Sequence, residues 1–181
     1  MFEIFQYSFM ARAFIGGVAI AIIAPLIGTF LVVKRLSLIA DTLSHIALAG
    51  VAIGLLTGTQ PIITTVIVTT LAGIAIEGLR VTKKIPGEAI LAMFLPGGLA
   101  LSIVLLSVAN GFNVNLFSFL FGSISTVTSN DLWLIVGLAL LTITTIFFFY
   151  NKLFFVAFDE ESAKISGIPT QAMNILLVVL T

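Results

Sequence analysis

Apolar residues run along this chain in long blocks instead of alternating with polar ones. Five blocks, 12–33, 37–57, 62–79, 88–108 and 132–150, are each long enough for a helix to cross roughly 30 Å of hydrocarbon at about 1.5 Å per residue. A sixth begins at Thr170 and runs only to Thr181. Between the fourth and fifth, the stretch 116–127 (LFSFLFGSISTV) is short for a crossing and reads as a re-entrant or interfacial piece. The pattern predicts an all-α polytopic membrane bundle, one domain over 1–181, with five complete spans and a truncated sixth.

Composition narrows what such a bundle does. Hydrophobic side chains make up 60% of the chain and charged ones 9%. Soluble domains carry about a quarter charged residues, so a water-facing globular domain is excluded. The absence of Cys removes disulfides and thiolate metal sites, and a single His removes every chemistry that needs two within one chain. No basic stripe is present to hold a phosphate backbone, so the expected surroundings are membrane lipid and not nucleic acid.

The basic residues orient the spans, because Lys and Arg accumulate in short cytoplasmic loops. Lys34 and Arg35 follow the first span, Arg80, Lys83 and Lys84 the third, and Lys152 and Lys164 the fifth, all on one side, while Arg12 lies opposite. The N-terminus is therefore expected outside the cell. Counting 116–127 as a crossing would move Lys152 and Lys164 to the other face, a further reason to leave it uncrossed. The N-terminus lacks the basic region and cleavage site of a signal peptide, so the first helix is expected to stay. Pro25 in the first span and Pro96, Gly97 and Gly98 in the fourth are places where helices kink, and they read first as packing features. Ala40, Ser44, Ala47, Gly50 and Gly54 make the second span small-sided, which predicts close helix packing.

The sharpest chemical feature is DTLSH, Asp41 to His45. A carboxylate and an imidazole at i and i+4 share one helical face. Counted as helix from Lys34, Asp41 lies about 10 Å and His45 about 16 Å into the membrane, near its midplane. Ionisable groups there are expensive and face a water path, a partner or an ion. The plainer reading is an intrahelical hydrogen bond that satisfies both groups. One oxygen and one nitrogen are half of a divalent-metal site; two copies of the chain would supply two Asp and two His, a set suited to zinc and tolerable for manganese or iron. Ser44 beside His45 does not make a nucleophile and base, because i and i+1 residues on a helix face apart.

The remaining charges read as structural. Glu77 and Arg80 form an i, i+3 pair, Glu88 sits where a helix dipole favours it, and Asp131 and Glu3 have no visible partner. Gly73 and Gly78 have the first spacing of a phosphate loop, but Leu79 and Arg80 stand where Lys and Ser/Thr are needed. The segment FDEESAKISGIP, Phe158 to Pro169, reads as a short amphipathic helix with acids at its start and Lys164 near its end, stopped by Gly167 and resumed beyond Pro169. It is either a solvated connection or a docking helix for a soluble partner. No loop is large enough for a nucleotide-binding domain, so an ATP-driven process would need another chain.

At SLIADTLSHIALAGVAIG, Ser37 to Gly54, the sequence resembles the permease subunits of the metal-uptake ABC transporters, which import zinc, manganese or iron. The resemblance continues through LFGSISTV, Leu120 to Val127, and FDEESAKISGIP, and RAFIGGVAIAIIAPLIGTFLVVKRLSLIADTLSH is most similar to the zinc branch of Gram-positive bacteria. It implies a multi-pass, homodimeric, non-enzymatic translocation subunit in the bacterial plasma membrane, with zinc (or manganese) as transported substrate and no permanently bound cofactor. An extracellular metal-binding protein would deliver the ion, and cytoplasmic ATPase subunits would hydrolyse ATP. By the same resemblance, Asp41 and His45 match intramembrane metal ligands, and Phe158, Asp159, Glu160, Glu161 and Gly167 match the coupling helix that ATPases grip. Family members continue past the point corresponding to Thr181, so the chain is expected to be cut short there, and Leu95 to Gly98 (LPGG) departs from the family pattern. The rival class is an ion-coupled secondary transporter or proton relay using Asp41 and His45 without ATP.

Overall fold

Each of the five apolar blocks is a helix. A computed structural model describes residues 7–83, 85–108 and 128–181, and its helices are α1 (Ser8–Val33), α2 (Ile39–Thr57), α3 (Pro61–Lys83), α4 (Gly87–Val108), α5 (Ser129–Phe158), α6 (Glu160–Ile165) and α7 (Thr170–Leu180). The first five are long and apolar enough to cross a membrane, and there is no strand among the described residues. The stretch 116–127, expected to be re-entrant, lies outside the described residues.

The helices overrun the expected blocks, most of all α5. Thr128 caps it through its side chain, and the Asp131 carboxylate accepts the Thr128 backbone N–H at 2.9 Å, a reciprocal box that starts the helix before Leu132. Asp131, which has no visible partner in the sequence, is thus the start signal. At the other end Asn151 and Lys152 do not stop the helix, because Leu153 and Val156 continue its buried stripe to Phe158. Neither proline divides a helix: α1 is continuous through Pro25 and α4 through Pro96.

In packing, α2 lies against both α3 and α4, α1 against α5, and α7 against α3 and α5. Glycine sets the approach of α2 to its neighbours. A Cβ at Gly50 would stand 2.6 Å from the Thr65 Cα, and one at Gly54 would stand 2.8 Å from the Pro61 Cα, so the GxxxG pair seats α3 within the same chain. Gly98 does the same on α4, where a Cβ would come within 2.7 Å of Ile46 on α2. The core is concentrated where the ends of α1, α3 and α5 meet α6 and α7, around Leu36, Ile39, Ile76, Leu91, Ala163 and Leu177. That meeting of ends matches the placement of Lys34, Arg80 and Lys152 on one side.

Candidate functional site

Two groups of polar side chains stand out in this apolar bundle. The first is Asp41 and His45. α2 begins at Ile39 and not at Lys34, because residues 34–38 form a turn, so the pair sits about 3 Å and about 9 Å along the helix from its start. A helical count from Lys34 places it near mid-membrane. The turn does not advance like a helix, and the pair belongs to the half of α2 nearer Lys34. Asp41 lies in the first turn, where the dipole favours a carboxylate.

The pair faces away from the packed side of α2, where Thr42, Leu43, Ile46 and Ala49 are buried. Asp41 Oδ1 and His45 Nε2 are 3.8 Å apart, with side chains 60% and 26% exposed. That distance is too long for a hydrogen bond, so the pair does not satisfy itself. Two ligand atoms on one tetrahedral zinc stand about 3.3 Å apart, a gap that a small rotamer adjustment reaches. No cluster of three or more His, Asp or Glu exists among the described residues, so within one chain the pair supplies at most half of a closed four-ligand shell.

The second group lies at the α6 end of the bundle and was only partly legible in the sequence. Arg80 grips Glu77 through two hydrogen bonds, Nε to Oε2 at 2.8 Å and Nη2 to Oε1 at 2.7 Å, and its Nη2 also lies 3.3 Å from Glu160 Oε2. The Lys34 ammonium reaches the same Glu160 Oε2 at 3.3 Å, the Val156 carbonyl at 3.4 Å and the Asn174 amide oxygen. Asn174 closes the ring by donating its Nδ2 to Glu160 Oε1 at 2.8 Å. Two cations and two carboxylates make the cluster electroneutral, and Lys34 uses all three of its donors. Burial pulls the Lys34 ammonium below its usual value against the pull of Glu160. For Glu160, burial alone would raise the carboxyl, but Lys34, Arg80 and Asn174 outweigh it and hold it below its ordinary value.

The three acids of FDEE therefore do different things. Asp159 caps α6, accepting from the Ser162 backbone N–H at 2.9 Å and its hydroxyl at 2.6 Å, bonds that hold its carboxyl low. Glu160 turns into the cluster, and Glu161 stays exposed. Ala163 is the one fully buried residue of the short helix. At its end the Ile168 N–H bonds the Ala163 carbonyl and the Gly167 N–H the Lys164 carbonyl, with Gly167 at φ +80°. This is a Schellman stop of the kind the sequence predicts. Phe158 and Ile165 are left 65% and 88% exposed; Ile165 is a surface feature that the sequence reading passed over.

Residues 6–181 match a family described as the ABC 3 transport family. A Treponema pallidum membrane protein whose name assigns it to a metal transport system is 36% identical over 97% of this chain and 65% of its own length. The manganese transport system membrane protein MntC of Halalkalibacterium halodurans is 30% identical over 98% of this chain and 61% of its own. The structure described as PsaBC from Streptococcus pneumoniae in complex with Fab superposes with a TM-score of 0.75 at 26% identity, covering 97% of this chain and 64% of that one. The chain thus spans less than two thirds of the length of these proteins. Five apolar helices and a match over nearly all its residues lead to one assignment: the chain belongs to the ABC 3 transport family and is a multi-pass protein of the bacterial plasma membrane.

Proposed function

We propose that this chain is a translocation subunit, not itself an enzyme, of an ATP-driven importer of divalent metal ions, with zinc as the cargo and manganese as the alternative. The observation that carries the reading is the Asp41–His45 pair, held on an open face of α2 without satisfying itself. Two copies of the chain related by a two-fold axis would bring two such pairs together, completing a closed oxygen and nitrogen shell for the ion. In this reading the N-terminus lies outside, and an extracellular binding protein delivers the ion. ATPase subunits bind at the cytoplasmic face through α6 and its flanks, with Phe158, Asp159, Glu160, Glu161 and Gly167 as the coupling residues. Release requires weakened coordination or protonation of His45.

Relatives bear names for both metals: besides the manganese protein above, the high-affinity zinc uptake system membrane protein ZnuB of Haemophilus influenzae is 28% identical. Imidazole with carboxylate serves either ion, so the ligand set does not choose between them. The test is elemental analysis of zinc and manganese in uptake-deficient cells carrying the complete gene, its Asp41→Ala form and its His45→Ala form at matched membrane expression. Loss of one metal in both variants supports the pair and names the cargo. Undiminished uptake in both overturns the site, and uptake that persists without an ATPase overturns the ATP-driven reading.

A further inference from the structure

Glu160 occupies an unusual position for an acid on a short helix with a largely exposed surface. Its carboxylate bonds to side chains from three other elements: Lys34 at the end of α1, Arg80 on α3 and Asn174 on α7. Lys34 is in turn the residue from which the chain leaves α1 for α2, through a turn closed by bonds from Arg35 N–H to the Val32 carbonyl and from Leu36 N–H to the Leu31 carbonyl. Leu36 is 1% exposed and Ile39 fully buried, so this turn cannot shift without carrying the start of α2 with it. Asp41 lies in that first turn of α2.

We propose that Glu160 is a positioning residue that ties α6 to the base of the helix carrying Asp41 and His45. Displacement of α6 moves Lys34, and through Lys34 the start of α2, which changes the separation of Asp41 from its ligand partners. Arg80 and Asn174 hold the Glu160 carboxylate from either side, so a push on α6 is delivered to Lys34 instead of being lost in side-chain rotation. The inference deepens the functional reading above and rests on it.

The test uses the complete transporter with its ATPase chain, reconstituted in liposomes, and reads metal ions taken up per ATP hydrolysed, with Zn²⁺ and Mn²⁺ each as probe. Glu160→Gln keeps the shape and the Asn174 contact but removes the charge that holds Lys34; the expected result is a fall of about tenfold in ions per ATP. Asn174→Leu, which leaves every charge in place and removes the bridge, is expected to lower the same ratio. Glu88→Gln, an exposed acid at the start of α4 outside the cluster, is the control and leaves the ratio unchanged. A ratio within twofold of the unaltered protein in both variants overturns the proposal. So does failure of both to assemble, which would make the cluster a folding element only. Absence of ATP-driven uptake in the unaltered protein would instead overturn the functional reading beneath it.

Discussion

The Lys34 ammonium and the Glu160 carboxylate lie 3.3 Å apart although 126 positions separate them in the chain. The Lys34 side chain is 5% exposed and that of Glu160 37%. Removing the cation leaves Asn174 Oδ1 without its donor and Glu160 with Arg80 as its one remaining cation beside the Asn174 amide. Because Glu160 is partly solvated and keeps that second cation, Lys34→Met is expected to destabilise the chain by about 2 kcal/mol, below the range for a fully buried pair. Lys152→Met, at an exposed site where the ammonium lies 5.8 Å from the Phe149 ring, is expected to shift stability by about 0.5 kcal/mol or less. Thermal unfolding in detergent distinguishes them, and equal midpoints would mean the cluster adds nothing to stability.

The same cluster gives stability a definite dependence on pH. Glu160 titrates below 4.5 in the folded chain, so between its folded and unfolded values the unfolded chain binds more protons. Its contribution is complete above about 4.5 and disappears as pH falls through the folded value. Lys34 is also lowered, from 10.5, so the unfolded chain again holds more protons between the folded value and 10.5, and stability rises with pH across that alkaline window. Unfolding midpoints measured against pH should show a flattened acid limb in Glu160→Gln and a flattened alkaline limb in Lys34→Met. Unchanged limbs in both would dissociate these groups from stability.

Arg35 carries a backbone penalty that glycine would relieve. It sits at φ +57°, in the left-handed position of the stop that ends α1, with the same pair of bonds that Gly167 serves at the end of α6. A side chain there costs about 1 kcal/mol, so Arg35→Gly is expected to raise stability by up to about that amount. Thermal unfolding measures it; a drop would show that the Arg35 side chain makes a contact worth more than the strain. The exchange also removes one of the basic residues on which the expected orientation rests, so insertion topology is checked by cysteine labelling in the same variant.

The spans were legible because a twenty-residue apolar block has few alternatives, and the DTLSH pair was legible because i and i+4 fix a common face. The capped ends of α6 were legible too, since Asp159 and Gly167 are strong local signals. What the sequence hid is non-local. Lys34 and Arg80 read as topology signals and Glu77 as a local ion pair, and only the meeting of three helix ends reveals that Lys34 and Arg80 share Glu160, which Asn174 also holds. Arg35 was hidden for a related reason: its charge explained its presence, and nothing in its type announces a left-handed backbone. Glu160 shows the limit most clearly, since it belongs to a run of acids yet alone among them turns into the cluster.

Ile165 separates docking from folding. It is 88% exposed on a six-residue helix whose one buried residue is Ala163, so it contributes little to the packing of this chain. An apolar side chain left bare on the same short helix as Glu161 and Lys164 is poorly suited to water and well suited to a pocket on a soluble partner. Ile165→Asp is therefore expected to leave the unfolding midpoint of the chain within about 0.5 kcal/mol of its original stability. If ATPase subunits dock on α6, the same change should lower their co-purification at least tenfold, the loss produced by about 1.4 kcal/mol of binding energy. Measuring both on one preparation decides the matter: retained folding with lost ATPase makes Ile165 a docking residue, whereas retained folding with undiminished ATPase moves the interface away from α6.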